Sequence, residues 1–451
     1  MLRHAAPAIP YASATVADRG TLRGARDRIR SPGTTSVLIG SGLSGLGAYA
    51  FQVLGTRSLG DEAYAPIGVL WTIQYLSLTV VLVSVEAYVT RMITLQPDAP
   101  GAMRRAVLTL GGWIVAVAAL VGAGAWWWRE PLFHGAGDDL AILASVIVLS
   151  YGVFVLARGQ LAGTGRFGAY GAVTGAESML RFFAALPVAA LVSTTRAVAW
   201  TLPVGVLAAT LWWLAWGRST RPSRPRHRDE PSPVEASPLP KSPTGRYLVA
   251  TTVSYGASQT LLAAGPLVLI PLGAGPAEIS VFFITITAAR VPLVFAFGGL
   301  LSRVLPPLTR AARAGQVPKL RRVALAIATA AAATAAAGAG AGAWIGPEVI
   351  ALFFGAAFTP PGWFVALTVA GVTLATAALG LGQILIAMHR ELRLVAPWLA
   401  GLAAGAAAVV LLGGDPTLRV ASGFVIGEAL ALAGLLAAVL TVRGQGGEAR
   451  A

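Results

Sequence analysis

The chain has 451 residues, of which 56% are hydrophobic and only 12% are charged, and its formal net charge is +15. A soluble domain could not solvate such a surface, and a chain without cysteine cannot form disulfides, iron–sulfur clusters or thiolate metal sites. About 20 apolar residues cross the hydrocarbon layer as a helix, and helices satisfy their own backbone there. The sequence therefore predicts an all-α, polytopic membrane protein.

Twelve apolar stretches of that length follow one another along the chain, and we number them as spans one to twelve. They run over residues 34–56, 64–90, 106–128, 140–161, 168–193, 197–216, 247–272, 279–304, 323–345, 361–387, 394–413 and 418–442. Residues 346–360 are too short and too punctuated by Gly and Pro to form another span. We interpret them as an interfacial or re-entrant helix.

The positively charged residues fall in every second gap between these spans. Of the 34 Arg and Lys residues, 28 lie in the segments 1–33, 91–105, 157–167, 217–246, 303–322, 388–393 and the tail after residue 442. The other gaps hold only Arg57, Arg129, Arg196 and Arg419. By the positive-inside rule, this distribution places both termini in the cytoplasm and predicts a multi-pass protein of the cytoplasmic membrane.

Two polar segments at the ends of the chain and one in its middle flank two apolar halves. Residues 1–33 are Arg-rich and predict a disordered cytoplasmic arm, and residues 444–451 form a cytoplasmic tail. Residues 217–246 are rich in Pro, Ser and Arg, without apolar periodicity, and predict a disordered cytoplasmic linker, which either only tethers the halves or also docks a partner. The halves, 34–216 and 247–443, hold six spans each and start on the same side, as a parallel pseudo-repeat does.

Several function classes are disfavoured by what the sequence lacks. The basic residues are spread over the inner segments, where they meet anionic lipid headgroups, and they are not interleaved with aromatic residues as a nucleic-acid groove requires. None of the four His residues lies inside a span, which argues against a metal site. No hydrolytic constellation and no nucleotide-binding loop is present, so we predict neither an enzyme nor a cofactor.

Five ionisable residues lie inside the predicted spans, where each costs about 2.5–3.5 kcal/mol to insert and is therefore a functional candidate. They are Glu86, Glu177, Arg181, Arg290 and Glu428. The three carboxylates are candidates for ion coupling. Four of the five lie near the midplane, whereas Glu86 lies about one turn from the cytoplasmic end and has Arg91 as a potential partner.

Two interpretations remain open for the arginines. Glu177 and Arg181 are four residues apart on one helix, so they either neutralise each other or place Arg181 in a wet cavity that receives an anion. Arg290 has no partner within a turn, and Pro292 beside it can open the helix backbone. We expect Arg290 to face water, a distant carboxylate such as Glu428, or a substrate phosphate.

Other polar residues within the spans are candidates for lining the same cavity, or alternatively for helix-packing hydrogen bonds. They are Gln52, Gln74, Tyr75, Tyr255 and Gln259.

Short motifs in chain order resemble those of a known family. They are FQVLGTRSLG at 51–60, AYAPIG at 63–68, YVTR at 88–91, the span-four exit ending in Gly165 and Arg166, and FFGAAF at 353–358. Together they resemble the polysaccharide flippases of the multidrug/oligosaccharidyl-lipid/polysaccharide exporter superfamily, over nearly the whole chain.

This resemblance implies a MATE-like fold, with two six-helix lobes around a central cavity that opens alternately to each side. Members of the superfamily move lipid-linked sugars to the outer leaflet or export small cations. Spans one, two, seven and eight would then line the cavity, which supports Arg290, Gln52 and Gln259. Span one lacks the carboxylate common in the drug-exporting branch, and the twelve spans differ from the fourteen usual in the lipid II flippase branch.

The resulting hypothesis is a flippase for an undecaprenyl-type lipid-linked oligosaccharide, in which midplane arginines hold the pyrophosphate. Its expected partners are membrane lipids, the lipid-linked saccharide, and glycosyltransferases or a polymerase of the same pathway. Two alternatives remain: a secondary exporter of drug-like cations with the same fold, and a non-transporting membrane scaffold for envelope synthesis.

Overall fold

The computed structural model describes residues 32–95, 100–216, 244–291 and 307–442, and this part of the chain is helical without strands. The predicted N-terminal arm up to residue 31, residues 217–243 of the predicted linker, and the tail from residue 443 lie outside the described residues. We call the helices up to residue 216 the N-lobe and those from residue 244 the C-lobe.

The N-lobe begins with α1, Pro32–Leu76, which bends sharply at Gly60 (φ 79°, ψ 179°). The rings of Phe51 and Trp71 have centroids 5.4 Å apart, whereas twenty residues of straight helix would separate them by about 30 Å. The chain therefore reverses at Gly60, and α1 contains span one and the start of span two. The positive φ at this turn favours glycine because it has no Cβ.

Span two continues beyond α1 through a π-helix, Ser77–Leu82, into α2, Val83–Leu95. The remaining N-lobe helices are α3, Pro100–Trp127; α4, Arg129–Phe133; α5, Asp139–Gly163; α6, Phe167–Leu191; α7, Thr195–Trp200; and α8, Leu202–Trp216. Helices α7 and α8 together correspond to predicted span six.

The C-lobe starts with a broken span, because α9, Thr244–Ala263, is followed by α10, Gly265–Leu269, at a bend of 62°. The 3₁₀ turn Ile270–Leu272 then leads into α11, Pro276–Ala289. The remaining helices are α12, Val317–Phe354; α13, Gly362–Ala387; α14, Val395–Leu411; and α15, Pro416–Leu440.

The prediction of an all-α, polytopic protein is confirmed, and the order of helices in the described residues accommodates the twelve predicted spans. Eight helical stretches of the described chain are long and apolar enough to cross a membrane, and one of them, Thr35–Thr94, contains both spans one and two. The bent pair α9 and α10 forms span seven. Helix α6 forms span five, and the shorter apolar helix α11 begins span eight. The rest of predicted span eight, including Pro292, lies outside the described residues.

The predicted separate helix at 346–360 is wrong. Residues 346–354 continue α12, which runs for 38 residues with Pro347 inside it, and only Ala356–Phe358 forms a separate 3₁₀ turn. In a membrane, backbone groups released from a helix find no water to bond, so a helix persists through a proline more readily than in a soluble protein. The Pro and Gly residues of this segment therefore do not end the helix as expected from the sequence.

Close helix packing through small residues positions the N-lobe cavity. Helix α1 meets α6 at Gly40 and Gly171, and a Cβ added to Gly40 would lie 2.0 Å from the Gly171 carbonyl oxygen. Such contacts hold membrane helices together where the hydrophobic effect provides little force between them. The polar residues of α1 and α6 consequently line adjacent walls of one cavity, where Ser44 Oγ and Ser178 Oγ are 3.0 Å apart.

Candidate functional site

A cavity of about 380 Å³ lies at the centre of the molecule. Its walls come from α1, α5 and α6 of the N-lobe, together with the end of α9 and the face of α11 that carries Phe283, Thr287 and Arg290. It contains six of the predicted site residues: Gln52, Gln74, Tyr75, Glu177, Arg181 and Arg290. The structure therefore gathers side chains from four predicted spans into one site.

The other predicted residues lie around this cavity. Gln259 reaches its wall by accepting a hydrogen bond from Tyr75 Oη, at 2.7 Å. Tyr255 lines a second cavity instead. Glu86 and Glu428 lie behind the walls, in α2 and α15 respectively.

Arg181 is charge-compensated. Its guanidinium pairs with Glu177 and donates a hydrogen bond to Tyr151 Oη, and it lies over the Trp71 ring at 4.8 Å. Tyr151 in turn donates to Glu177 and accepts from Gln74 Nε2 at 3.0 Å. Arg181 and Glu177 are 1% and 5% exposed, so the pair is almost entirely removed from solvent. Of the two interpretations that the sequence left open, this geometry favours mutual neutralisation.

Arg290 is the cation of the cavity that no carboxylate neutralises by contact. It follows the last residue of α11, and its guanidinium lies 5.4 Å from the centre of the Tyr75 ring. Its Nε and Nη2 are buried and have no hydrogen-bond partner within the described part of the chain. Glu428 is close enough to interact with it electrostatically, but the two form no ion pair.

Glu428 is itself 0% exposed, and neither of its carboxylate oxygens has a hydrogen-bond partner among the described residues. The Oε1 atoms of Gln52 and Gln74 are also buried without partners there. Buried polar atoms are normally hydrogen-bonded, so atoms without partners around a cavity mark where water or a ligand binds.

Glu86 has a different partner from the Arg91 that the sequence suggested. Arg158 of α5 pairs with it at 3.2 Å, and Tyr170 Oη donates to it at 2.9 Å. Arg158 lies over the Tyr170 ring at 4.7 Å and lines the central cavity. Sequence reasoning assigned Arg158 to an inner segment because it lies three residues from the predicted end of span four, and so missed it as a site residue.

The lobes meet at the end of the molecule that carries Gly60, which is the predicted outer end. Arg57 donates from Nε to the carbonyl oxygen of Phe353 at 2.9 Å and also bonds the carbonyl of Leu352, both at the end of α12. Ser280 Oγ donates to the Asp61 carbonyl at 2.6 Å. These bonds join the two lobes at this end.

Replacing Arg57 with Gln should shift the molecule towards a state that is open at this end, because both bonds to α12 are lost. Because the chain has no cysteine, nitroxide labels can be attached selectively at Glu62→Cys and Glu348→Cys. Double electron–electron resonance spectroscopy then measures the distance between the two labels, and so between the lobes. We expect a new long-distance population. Arg129→Gln is the matched control, because the bonds of Arg129 to Asp138 and Trp126 lie within the N-lobe. An identical distance distribution in all three proteins would contradict a role of Arg57 in holding the lobes together.

A second cavity, of about 630 Å³, lies between the lobes in the half of the molecule predicted to be cytoplasmic. We call it the side groove. It is lined by residues of span two from Thr79 to Tyr88, by Leu110 and Trp113 of α3, and by α9, α13 and α14 of the C-lobe.

No protein-family model and no curated protein matches the chain. Among solved structures, an inward-facing multidrug resistance MATE family transporter of the MOP superfamily is similar, with a TM-score of 0.63 and 15% identity, over 95% of this chain and 100% of that one. A MOP superfamily transporter from Pyrococcus furiosus, for which a reversed polarity of the binding pocket was taken to suggest a different function, gives 0.53 and 18%, over 90% and 95%.

A MATE protein in its bent conformation gives a TM-score of 0.52 and 17% identity, over 90% of this chain and 94% of that one. At such identities the similarity concerns the fold, and it extends over nearly the full length of both chains. The prediction of a MATE-like fold is confirmed: this is a polytopic helical membrane protein with the fold of the MATE transporters of the MOP superfamily.

Proposed function

We propose that the protein is a transporter that moves an anionic lipid-linked saccharide across the cytoplasmic membrane by alternating access. The observation that carries this proposal is Arg290, a partly buried residue that lines the central cavity and whose buried Nε and Nη2 have no hydrogen-bond partner among the described residues. A guanidinium in such a place suits a pyrophosphate, because its planar donors match phosphate oxygens and its charge is weakly screened.

The charges around the cavity favour an anion over a cation. Arg158 and Arg181 are each paired with a carboxylate, which leaves Arg290 as the unneutralised charge in the described lining. Among the described lining residues Glu177 is the carboxylate, and its oxygens already accept from Arg181, Tyr151 and Ser178. A drug-like cation would therefore have to displace an ion pair to find a counter-charge.

The closure at the predicted outer end supports alternating access. The lobes are bonded there through Arg57 and Ser280, while the side groove separates them in the predicted cytoplasmic half. The conformation described here would correspond to the state that receives substrate from the cytoplasm. The orientation rests on the charge distribution of the loops, which also places both termini inside.

Ion coupling is assigned to Glu428 in this proposal, rather than to Glu177 or Glu86. The latter two are held in ion pairs within the N-lobe. Glu428 has two buried oxygens without partners in the described structure, and it interacts electrostatically with Arg290. A proton or cation on Glu428 would therefore change the field at the anion site.

The purified protein in liposomes should expose a fluorescent polyprenyl pyrophosphate-linked oligosaccharide to dithionite added outside, faster than protein-free liposomes do. Ethidium, a drug-like cation, should not be transported by the same liposomes. Its transport distinguishes the cation-exporter alternative from the proposed flippase. Ethidium transport without movement of the lipid-linked saccharide would overturn the proposal. Transport of neither, together with growth defects only on deletion of 217–246, would favour the scaffold.

A further inference from the structure

The side groove is built differently from the central cavity. Its lining is dominated by apolar side chains, among them Val80, Val83 and Trp398, and no charged residue is among those that line it in the described structure. Its volume of about 630 Å³ is within the range of sites that hold small organic ligands. Hydroxyl groups such as that of Ser84 also lie in its walls, but most of the surface exposed to the groove is apolar.

The groove faces outward from the seam between the lobes. On its inner side span two touches span seven, where Ser84 Oγ and Thr252 Oγ1 are 3.2 Å apart. Along its walls Trp113 and Tyr88 are 55% and 46% exposed. Helix α3, which carries Trp113, is apolar and has few buried residues, as a lipid-facing helix of a bundle does. We infer that the groove opens towards the bilayer on this side.

The groove also adjoins the central cavity along span two. Tyr75 and Leu78 line the central cavity, and Thr79 is the first residue of that span to line the groove. The hydrogen bond from Tyr75 to Gln259 forms the partition, and Tyr255, one turn from Gln259, lies on the groove side. Tyr75, whose ring lies against the Arg290 guanidinium, is therefore one helix turn from Thr79 of the groove.

The π-helix Ser77–Leu82 lies at this boundary. A π-turn holds more residues than an α-turn, so it rotates the following residues relative to those before it. Such turns occur frequently at functional sites. Here the rotation coincides with the change of the exposed face of span two from the polar cavity to the apolar groove.

We propose that the side groove binds the hydrocarbon chain of the transported lipid while its phosphate is bound at Arg290 in the central cavity. This inference rests on the proposed function and extends it to the lipid part of the substrate. A chain fits the groove because the groove is apolar, uncharged and open to the bilayer, whereas a free apolar cation would find no carboxylate in its described walls.

A photoreactive lipid tests the site directly. The protein in phosphatidylcholine liposomes would be irradiated with a polyprenyl monophosphate that carries a diazirine in the chain, near the phosphate end, and the labelled peptides identified by mass spectrometry. We expect label in residues 79–88, 251–255 and 379–386, and we expect unlabelled polyprenyl monophosphate to compete it away.

The variant Ala87→Phe should lower this labelling by about tenfold, which corresponds to displacing about two methylene groups from the groove. Ala87 is exposed and lines the groove, so the larger ring is accommodated without disturbing the buried core. The matched control is Ala119→Phe, an exposed alanine of α3 outside the groove, which should label like the unsubstituted protein.

Two results would overturn the chain site. One is labelling of the groove by a diazirine phosphatidylcholine to the same extent and without competition by polyprenyl monophosphate, which would mean bulk lipid only. The other is equal labelling of Ala87→Phe and Ala119→Phe. If the unsubstituted protein moves the lipid-linked saccharide in either case, the proposed function stands without the chain site. Competed labelling in a protein that moves no saccharide would leave the chain site and reject the flippase.

Discussion

An Arg290→Gln variant is expected to move the lipid-linked saccharide about 10- to 100-fold more slowly than the unsubstituted protein. A hydrogen bond from a charged group contributes roughly 1.5–3 kcal/mol, and a factor of ten corresponds to about 1.4 kcal/mol. Glutamine keeps donors at this position but loses the charge and the planar fork. The measurement is the initial rate of dithionite exposure in liposomes with equal amounts of inserted protein.

Arg290→Lys should retain part of the rate, because it keeps the charge and loses only the bidentate geometry. Arg390→Gln serves as the control, since Arg390 is exposed between α13 and α14 and the same chemical change there should leave the rate unaltered. Full activity of Arg290→Gln in folded protein would remove the anion site from the proposal.

The second large effect concerns stability. Glu177→Gln should lower the free energy of unfolding by about 3–5 kcal/mol, because it leaves the guanidinium of Arg181 buried without its counter-charge. Adding Arg181→Met to that variant should restore most of the loss, since the charge that needed a partner is gone. The unsubstituted protein, the two single variants and the double variant form a double-mutant cycle. Their stabilities are measured by thermal unfolding of the purified proteins in detergent, followed by tryptophan fluorescence.

The same double variant separates a structural pair from a substrate site. If Arg181 serves to pack α6 against Tyr151 and Trp71, the double variant should transport within a few-fold of the unsubstituted rate. A stable double variant without transport would instead show that the N-lobe pair takes part in binding or coupling. Additive losses of stability in the cycle would show that the two charges do not depend on each other.

The spans and the residues of the central cavity were accessible from sequence because both follow from insertion energy. Apolar stretches must be long enough to cross the hydrocarbon layer, and ionisable residues inside them must face each other or a cavity. Arg290 and Glu177 were found this way. Contacts between side chains of different helices could not be predicted, because they depend on how each helix is rotated about its axis. The contacts of Tyr151 with Glu177 and of Arg158 with Glu86, both made from α5, were missed for this reason.

The side groove could not be predicted for a related reason. Its walls come from five spans that are far apart in the chain, and its lining residues look like ordinary lipid-facing positions. The π-helix of span two has no recognisable sequence signal in SLTVVL, a run that is equally compatible with an α-helix. Only the packed arrangement shows that the register of span two changes where the two cavities meet.

The length of α12 has a mechanical consequence. Its 38 residues extend over about 57 Å, nearly twice the hydrocarbon thickness of about 30 Å, so the helix is strongly tilted or extends well beyond the lipid. Few of its side chains are buried, and it is held mainly along one side, where Gly342 and Gly346 pack against Val365 of α13. A change of about 5° in its inclination displaces its far end by about 5 Å. That distance is enough to move the carbonyl groups of Leu352 and Phe353 out of hydrogen-bond range of Arg57. A small tilt of α12 at one membrane surface therefore breaks the bonds between the lobes at the other surface.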